Sequence, residues 1–175
     1  MAVLDELVRL RQTSSGLAIL DALSLEPMAK TTLSEQERAL IEHACARLIL
    51  ESIAANDRQD YEAFAALFTS DGLLHRPNGE PLCGHDEIVE SYRSRPRNRI
   101  TRHICTNILV QADSPESARG MTYVVLYSAD SLQSVKHFGA KCDPRTLIGE
   151  LEDQFRLTLD GWRIAERRAR FVMHT

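Results

Sequence analysis

Between Leu40 and Ile53 apolar side chains return every three or four positions, at Leu40, Ile41, Ala44, Leu48, Ile49 and Ile53, which predicts a helix with one face in a core. Ser34-Glu35-Gln36-Glu37 ahead of it has the S-x-x-E form of a capping box, so the helix should start there and run about six turns to a polar break at Asn56 to Asp60. Asp60 suits the N-cap of a second helix, in which Tyr61, Phe64, Ala65, Leu67 and Phe68 form one buried stripe, ended by Ser70-Asp71-Gly72. A strand near Leu73 to Arg76, turn residues from Pro77 to Pro81, and a short helix after Gly84 carrying Ile88, Val89 and Tyr92 follow.

From Ile100 the period shortens to two. Residues 100–112 predict a long strand with Ile104, Thr106, Ile108 and Val110 on one face and Thr101, His103, Cys105, Asn107 and Leu109 on the other. Residues 118–128 form the next strand, antiparallel by its short connection, and Ala129 to Arg145 is a long polar loop. Strands over 147–159 and 162–172 are joined at Asp160-Gly161, a strong hairpin signal. Upstream, two short apolar runs between Val3 and Leu23 and a linker around Pro27 predict a helical extension over 1–32, acting as a packing or dimer arm or as a lid, ahead of one domain over 33–175.

Composition narrows the function. A net charge of −4 in 175 residues gives no global field toward nucleic acid or an anionic membrane. Arg93, Arg95, Arg97 and Arg99 lack interleaved aromatics and read as a solvated loop. The four cysteines show no paired spacing for disulfides or zinc. No continuous apolar run of signal or membrane-spanning length is present, so the expected location is the cytoplasm. There is no nucleophile elbow, P-loop, dinucleotide fingerprint or metal-ligand spacing, and no cofactor is implied.

The D-x-x-D-Y hinge from Asp57 to Tyr61, the A-x-L-F of Ala65 to Phe68, Ser70-Asp71-Gly72, the TRHICTN of Thr101 to Asn107 and the terminal DGWRIAERR occur in one order. Together they resemble the SnoaL-like branch of the nuclear transport factor 2-like superfamily over roughly residues 35 to 172. The resemblance implies an α+β fold, a cone-shaped, curved antiparallel sheet wrapped around the long helix. The helix cannot fill the concave face of such a sheet, and the cavity that remains is the default ligand site.

His103 shares a mixed strand face suited to a pocket, and an imidazole moves protons near neutral pH. By itself it could equally be a satisfied core or surface histidine. In SnoaL-like and scytalone dehydratase-like relatives an Asp at the helix-end hinge faces a His on this strand, and Asp57 and His103 match those positions. Alternatively Asp57 bonds only local backbone. Asp153 lies on an apolar strand face, where a carboxylate is costly unless paired; a one-residue slip would bring in Glu152. Asn107 could donate to a substrate carbonyl or bond a neighbouring strand. Tyr61 and Tyr123 suit core or pocket, and Phe64, Phe68, Leu126 and Phe155 would shape the cavity. The second histidine of the dehydratase pattern falls near Thr122, which cannot act as a general acid, so a one-base reaction is expected. The Asp-Arg-Asp set of limonene epoxide hydrolases matches less well.

Two functions result. One is a cofactor-independent enzyme doing acid/base chemistry, such as isomerisation, cyclisation or dehydration, on a hydrophobic carbonyl compound, with His103 as acid/base and Asp57 orienting it. The other is a non-catalytic ligand-binding or accessory subunit resembling ring-hydroxylating dioxygenase β subunits. Both imply a homodimer or higher oligomer, because an outer face bearing Ile104, Ile108 and Val110 is too apolar for water.

Overall fold

Ser34 accepts from the backbone N–H of Glu37 while the Glu37 carboxylate accepts from the Ser34 N–H, so the capping box forms and opens helix α1, Glu35–Asp57. The protein is described by a computed structural model over residues 32–130 and 139–175. Leu33–Thr175 make one unit, and the helical extension expected over 1–32 falls outside the described residues except for Thr32. Along α1 the buried positions are Ile41, Cys45, Leu48, Ile49, Ser52, Ile53, Ala55 and Asn56. Leu40, expected inside, is exposed, because it lies next to the stripe that runs from Ile41 through Cys45 to Leu48.

After the hinge, Asp60 accepts from Ala63 N–H and caps helix α2, Tyr61–Ala65. The expected longer helix is corrected here. Phe68 is buried not as a fifth helical stripe residue but as the first residue of strand β1, Phe68–His75. Ser70-Asp71-Gly72 does not stop a helix either; it sits in the irregularity where β1 shifts register against the last strand. A Cβ on Gly72 would lie 2.9 Å from the Thr69 carbonyl oxygen, so the shift needs a glycine. A two-residue strand β2, Leu82–Cys83, and helix α3, Gly84–Arg93, follow, with Ile88 and Tyr92 buried.

Four long strands then build the sheet: β3 (Arg99–Ser114), β4 (Ser117–Asp130), β5 (Leu147–Thr158) and β6 (Gly161–His174). The order is β2-β1-β6-β5-β4-β3. Neighbours are antiparallel except β1 and β6, which run parallel, so the sheet is mixed rather than wholly antiparallel. The fold is α+β, with α1 lying across β3 and the core between helix and sheet. Ala129 and Asp130, expected in a loop, continue β4, and Ala129 forms an isolated bridge with Cys142.

A bulge in β3 changes the expected faces. Between Thr106 and Leu109 the pairing shifts, and Asn107 has a positive φ of 50°, a conformation that asparagine tolerates better than most residues. Thr101, His103 and Cys105 point inward before the bulge, and Ile108, Val110 and Ala112 after it. Asn107 and Leu109 therefore face outward, and Ile108 and Val110 leave the outer face expected to hold them. That face carries Ile104, Leu109, Met121, Tyr123 and Tyr127 instead. No helix among the described residues is long and apolar enough to cross a membrane.

Gly149 on β5 sits beside a second irregularity, opposite Phe171, and a Cβ there would lie 2.5 Å from the Arg170 carbonyl oxygen. Gly149→Ala should therefore force the β5–β6 pair apart and lower stability by about 1–3 kcal/mol, read from the midpoint of urea unfolding.

Candidate active site

The last turn of α1 delivers a carboxylate to the edge strand of the sheet. Asp57 Oδ1 accepts from the Thr101 hydroxyl at 2.9 Å and lies 2.6 Å from His103 Nδ1, while Oδ2 accepts from the His103 backbone N–H at 2.9 Å. Both side chains are about 12% exposed. The hinge is set by Gln59, at a φ of 59°, whose side-chain amide donates to the Arg99 carbonyl at 2.6 Å. Burial raises the Asp57 carboxyl, but the His103 ring and backbone N–H, the His103 charge and the Thr101 hydroxyl outweigh it and hold the group below the usual carboxylate range. An ionised carboxylate can only accept, so Nδ1 carries the proton and donates to Asp57. In the neutral form of the ring Nε2 then keeps a lone pair, which is the arrangement of a general base.

His103 lines a cavity of about 250 Å³ whose walls include Ile53, Phe64, Leu74, Val124, Leu126 and Leu151. Polar groups share this surface with them: Asn56 enters from α1, Glu150 from β5, Arg167 and Arg170 from β6, and Arg76, Asn78 and Arg95 from the segments after β1 and α3.

Arg167 is 2% exposed and is held by a buried network. Its Nε donates to Asp153 Oδ1 at 2.7 Å and its Nη2 to Oδ2 at 3.0 Å, while Nη1 donates to the Ser52 hydroxyl at 2.8 Å. A guanidinium has five N–H donors, so one remains on each terminal nitrogen. Asp153 thus sits on the inward face expected of it, where it forms the ion pair that a buried carboxylate needs and does not line the cavity. Cys105 lies on the same inward face, its thiol pushed up first by burial and lowered in part by the Arg167 charge.

The remaining sequence candidates do not converge here. Asn107 is exposed on the bulge and bonds the Thr106 hydroxyl at 3.2 Å, so its expected place in the pocket is corrected. Tyr61 stacks on Tyr92 with centroids 5.0 Å apart, and its hydroxyl and that of Thr122 are buried without a partner among the described residues. Phe68 packs in the core with the Arg167 guanidinium 5.9 Å from its ring. None of these three lines the cavity.

Sequence reasoning missed Arg167. Alternation from the buried Ile164 would turn residue 167 outward, and a bulge opposite Gln154 and Phe155 reverses it. The available signal was indirect: Asp153 on an apolar face called for a cation. Arg95, read as solvated, is exposed and also lines the cavity, whereas Arg99, read the same way, is half-buried and bonds Ser128 and Asp143.

A family model described as a SnoaL-like domain matches residues 37–168. No curated protein matches the chain in sequence. Among solved structures, a Novosphingobium aromaticivorans protein provisionally assigned as a scytalone dehydratase is similar with a TM-score of 0.67 and 20% identity, over 81% of this chain and 91% of that one. A type 2 hexachlorocyclohexane dehydrochlorinase gives 0.67 and 12% over 81% and 92%. A ketosteroid isomerase-like protein from Erwinia carotovora atroseptica gives 0.60 and 18% over 80% and 99%. At these identities the likeness is one of fold.

Two outcomes follow from the paired charges. The folded pKa of Asp57 lies below its unfolded value of about 3.9, so its contribution to stability is full above that pH and disappears as pH falls through the folded pKa. Asp57→Asn should therefore lower the urea midpoint at neutral pH, by an amount that shrinks as pH falls below about 4. Asp153→Leu alone should cost about 3–5 kcal/mol by stranding Arg167, and adding Arg167→Met should recover most of that loss in the same unfolding assay.

Proposed function

Because the chain belongs to the SnoaL-like domain family, we propose that it is a small-molecule enzyme doing acid/base chemistry next to a carbonyl, with His103 as the base. The reading is carried by the Asp57–His103 pair, held at 2.6 Å, with His103 on the wall of the cavity. His103 Nε2 takes a proton from the carbon adjacent to the substrate carbonyl. The C–H electron pair moves into the C–C bond as the carbonyl π pair shifts onto oxygen, giving an enolate. Asp57 holds the ring by Nδ1–H and stabilises the imidazolium that results. The two unused N–H groups of Arg167 offer charge-assisted hydrogen bonds to the enolate oxygen.

The imidazolium then returns its proton. Delivery to another carbon gives an isomer, and delivery to a departing β-hydroxyl gives a dehydration. A single base serves both routes, in keeping with Thr122, which has no acid function, where a second histidine would stand. The names of similar structures, a dehydratase, a dehydrochlorinase and an isomerase-like protein, all fit proton removal from carbon as the shared step. That supports the reaction class and leaves the product open.

The test needs no knowledge of the natural substrate. A panel of aryl and cyclic ketones in D₂O should exchange α-hydrogens faster with the protein than without it. His103→Gln should lower that exchange by about 10²–10⁴-fold. Exchange equal in wild type and His103→Gln would remove the proposal.

A further inference from the structure

Charges on the cavity wall do not balance. Four arginines line it, Arg76, Arg95, Arg167 and Arg170, against one acid, Glu150. Arg167 is neutralised by Asp153 and Arg170 by Glu150. Arg76 and Arg95 have no carboxylate partner among the described residues, although the chain as a whole is acidic, with a net charge of −4.

These two arginines converge on one aromatic ring. The Arg95 guanidinium carbon is 4.5 Å from the Tyr92 centroid and that of Arg76 is 5.7 Å, which puts the two charges within about 10 Å of each other, about one Debye length at 0.1 M salt. Tyr92 is itself fixed by Tyr61 and Phe64 packed around it. Stacking on a ring holds a guanidinium by its face and leaves its N–H edge free for an oxyanion. Arg95 spends one N–H on the buried Asn56 amide oxygen at 3.2 Å, next in the chain to Asp57, while the Arg76 Nε–H is buried without an acceptor. Two like charges held this close, with a buried donor unmet, form a site that an anion completes.

We propose that Arg76 and Arg95 bind a carboxylate, so that the substrate is a hydrophobic organic acid whose carbonyl end reaches His103 and whose anionic end rests on the Tyr92 arginines. This rests on the cavity being the reaction site proposed above. Asn56 joins the two ends, since it bonds Arg95 and precedes Asp57. Arg76 and Arg95 are binding residues in this scheme, and Arg167 remains with the reacting carbonyl.

The experiment compares trans-cinnamate with cinnamamide, two probes of nearly the same shape that differ in charge, by NMR titration of the full chain. The Arg side-chain N–H and Tyr92 ring signals are followed. Wild type should bind cinnamate about tenfold or more tightly than the amide, with the Arg76 Nε–H moving on binding. Arg95→Gln lies on an exposed segment and tests the site with little risk to folding, and Arg76→Gln/Arg95→Gln should abolish the preference while the circular dichroism spectrum stays unchanged. Equal affinity for the two probes, a preference that survives the double substitution, or no shift at either arginine up to the solubility limit would overturn the proposal. His103→Gln should keep the preference for the acid. If the preference is present but exchange does not depend on His103, the acid/base reading fails and the anion site stands; if His103-dependent exchange persists without the preference, the anion site fails alone.

Discussion

The Asp57 carboxylate holds the end of α1 to strand β3. It accepts a hydroxyl, a backbone N–H and a ring N–H, all from the three residues Thr101 to His103. At the other end of the helix Arg38 donates to the Ala112 carbonyl and Glu42 accepts from the Ala112 N–H, so the same strand is gripped at two points. With both ends fixed, the apolar stripe of α1 covers part of the inner sheet face and the remainder becomes the cavity. The group that orients His103 is thus also one that sets where the cavity can be.

Burial then sorts the charges. Arg167 and Asp153, nearly inaccessible, satisfy each other with a two-point contact, and Ser52 takes a third N–H. The pair is expensive to desolvate, and its return is positional: a guanidinium held rigidly with two donors left over. Arg76 and Arg95, nearer solvent, can stay charged on an aromatic face without a carboxylate. The result is a pocket with one base, two neutralised cations, Arg167 and Arg170, and two uncompensated cations on Tyr92. Cys45, on the buried face of α1, takes no part in this, its thiol pushed up to about 12 by burial and then by the Asp153 charge.

How far the site could be read ahead of the structure depended on whether a residue's neighbours are local. The capping box of Ser34, the Asp60 cap and the Asp160-Gly161 turn act over three or four residues, and each was legible. The face of His103 was legible too, because alternation from Thr101 to Cys105 is unbroken. Asn107, Ile108 and Val110 were misplaced because one extra residue in β3 reverses every face beyond it, and an asparagine in a polar stretch does not announce that insertion. Phe68 was assigned to a helix because spacings of three and four persist one residue past the point where the chain turns into β1.

The sequence by itself determined the order of elements and the helix that crosses the sheet, since these rest on periodicity, caps and turns that short stretches of chain decide; the pairing of Asp57 with His103 was implied only by the resemblance of ordered motifs. Only the tertiary structure decided that Arg167 answers Asp153 and that Arg76 and Arg95 meet over Tyr92. Those contacts join strands and loops through register, and register is set by bulges and by the packing of a sheet on a helix, which no local pattern encodes.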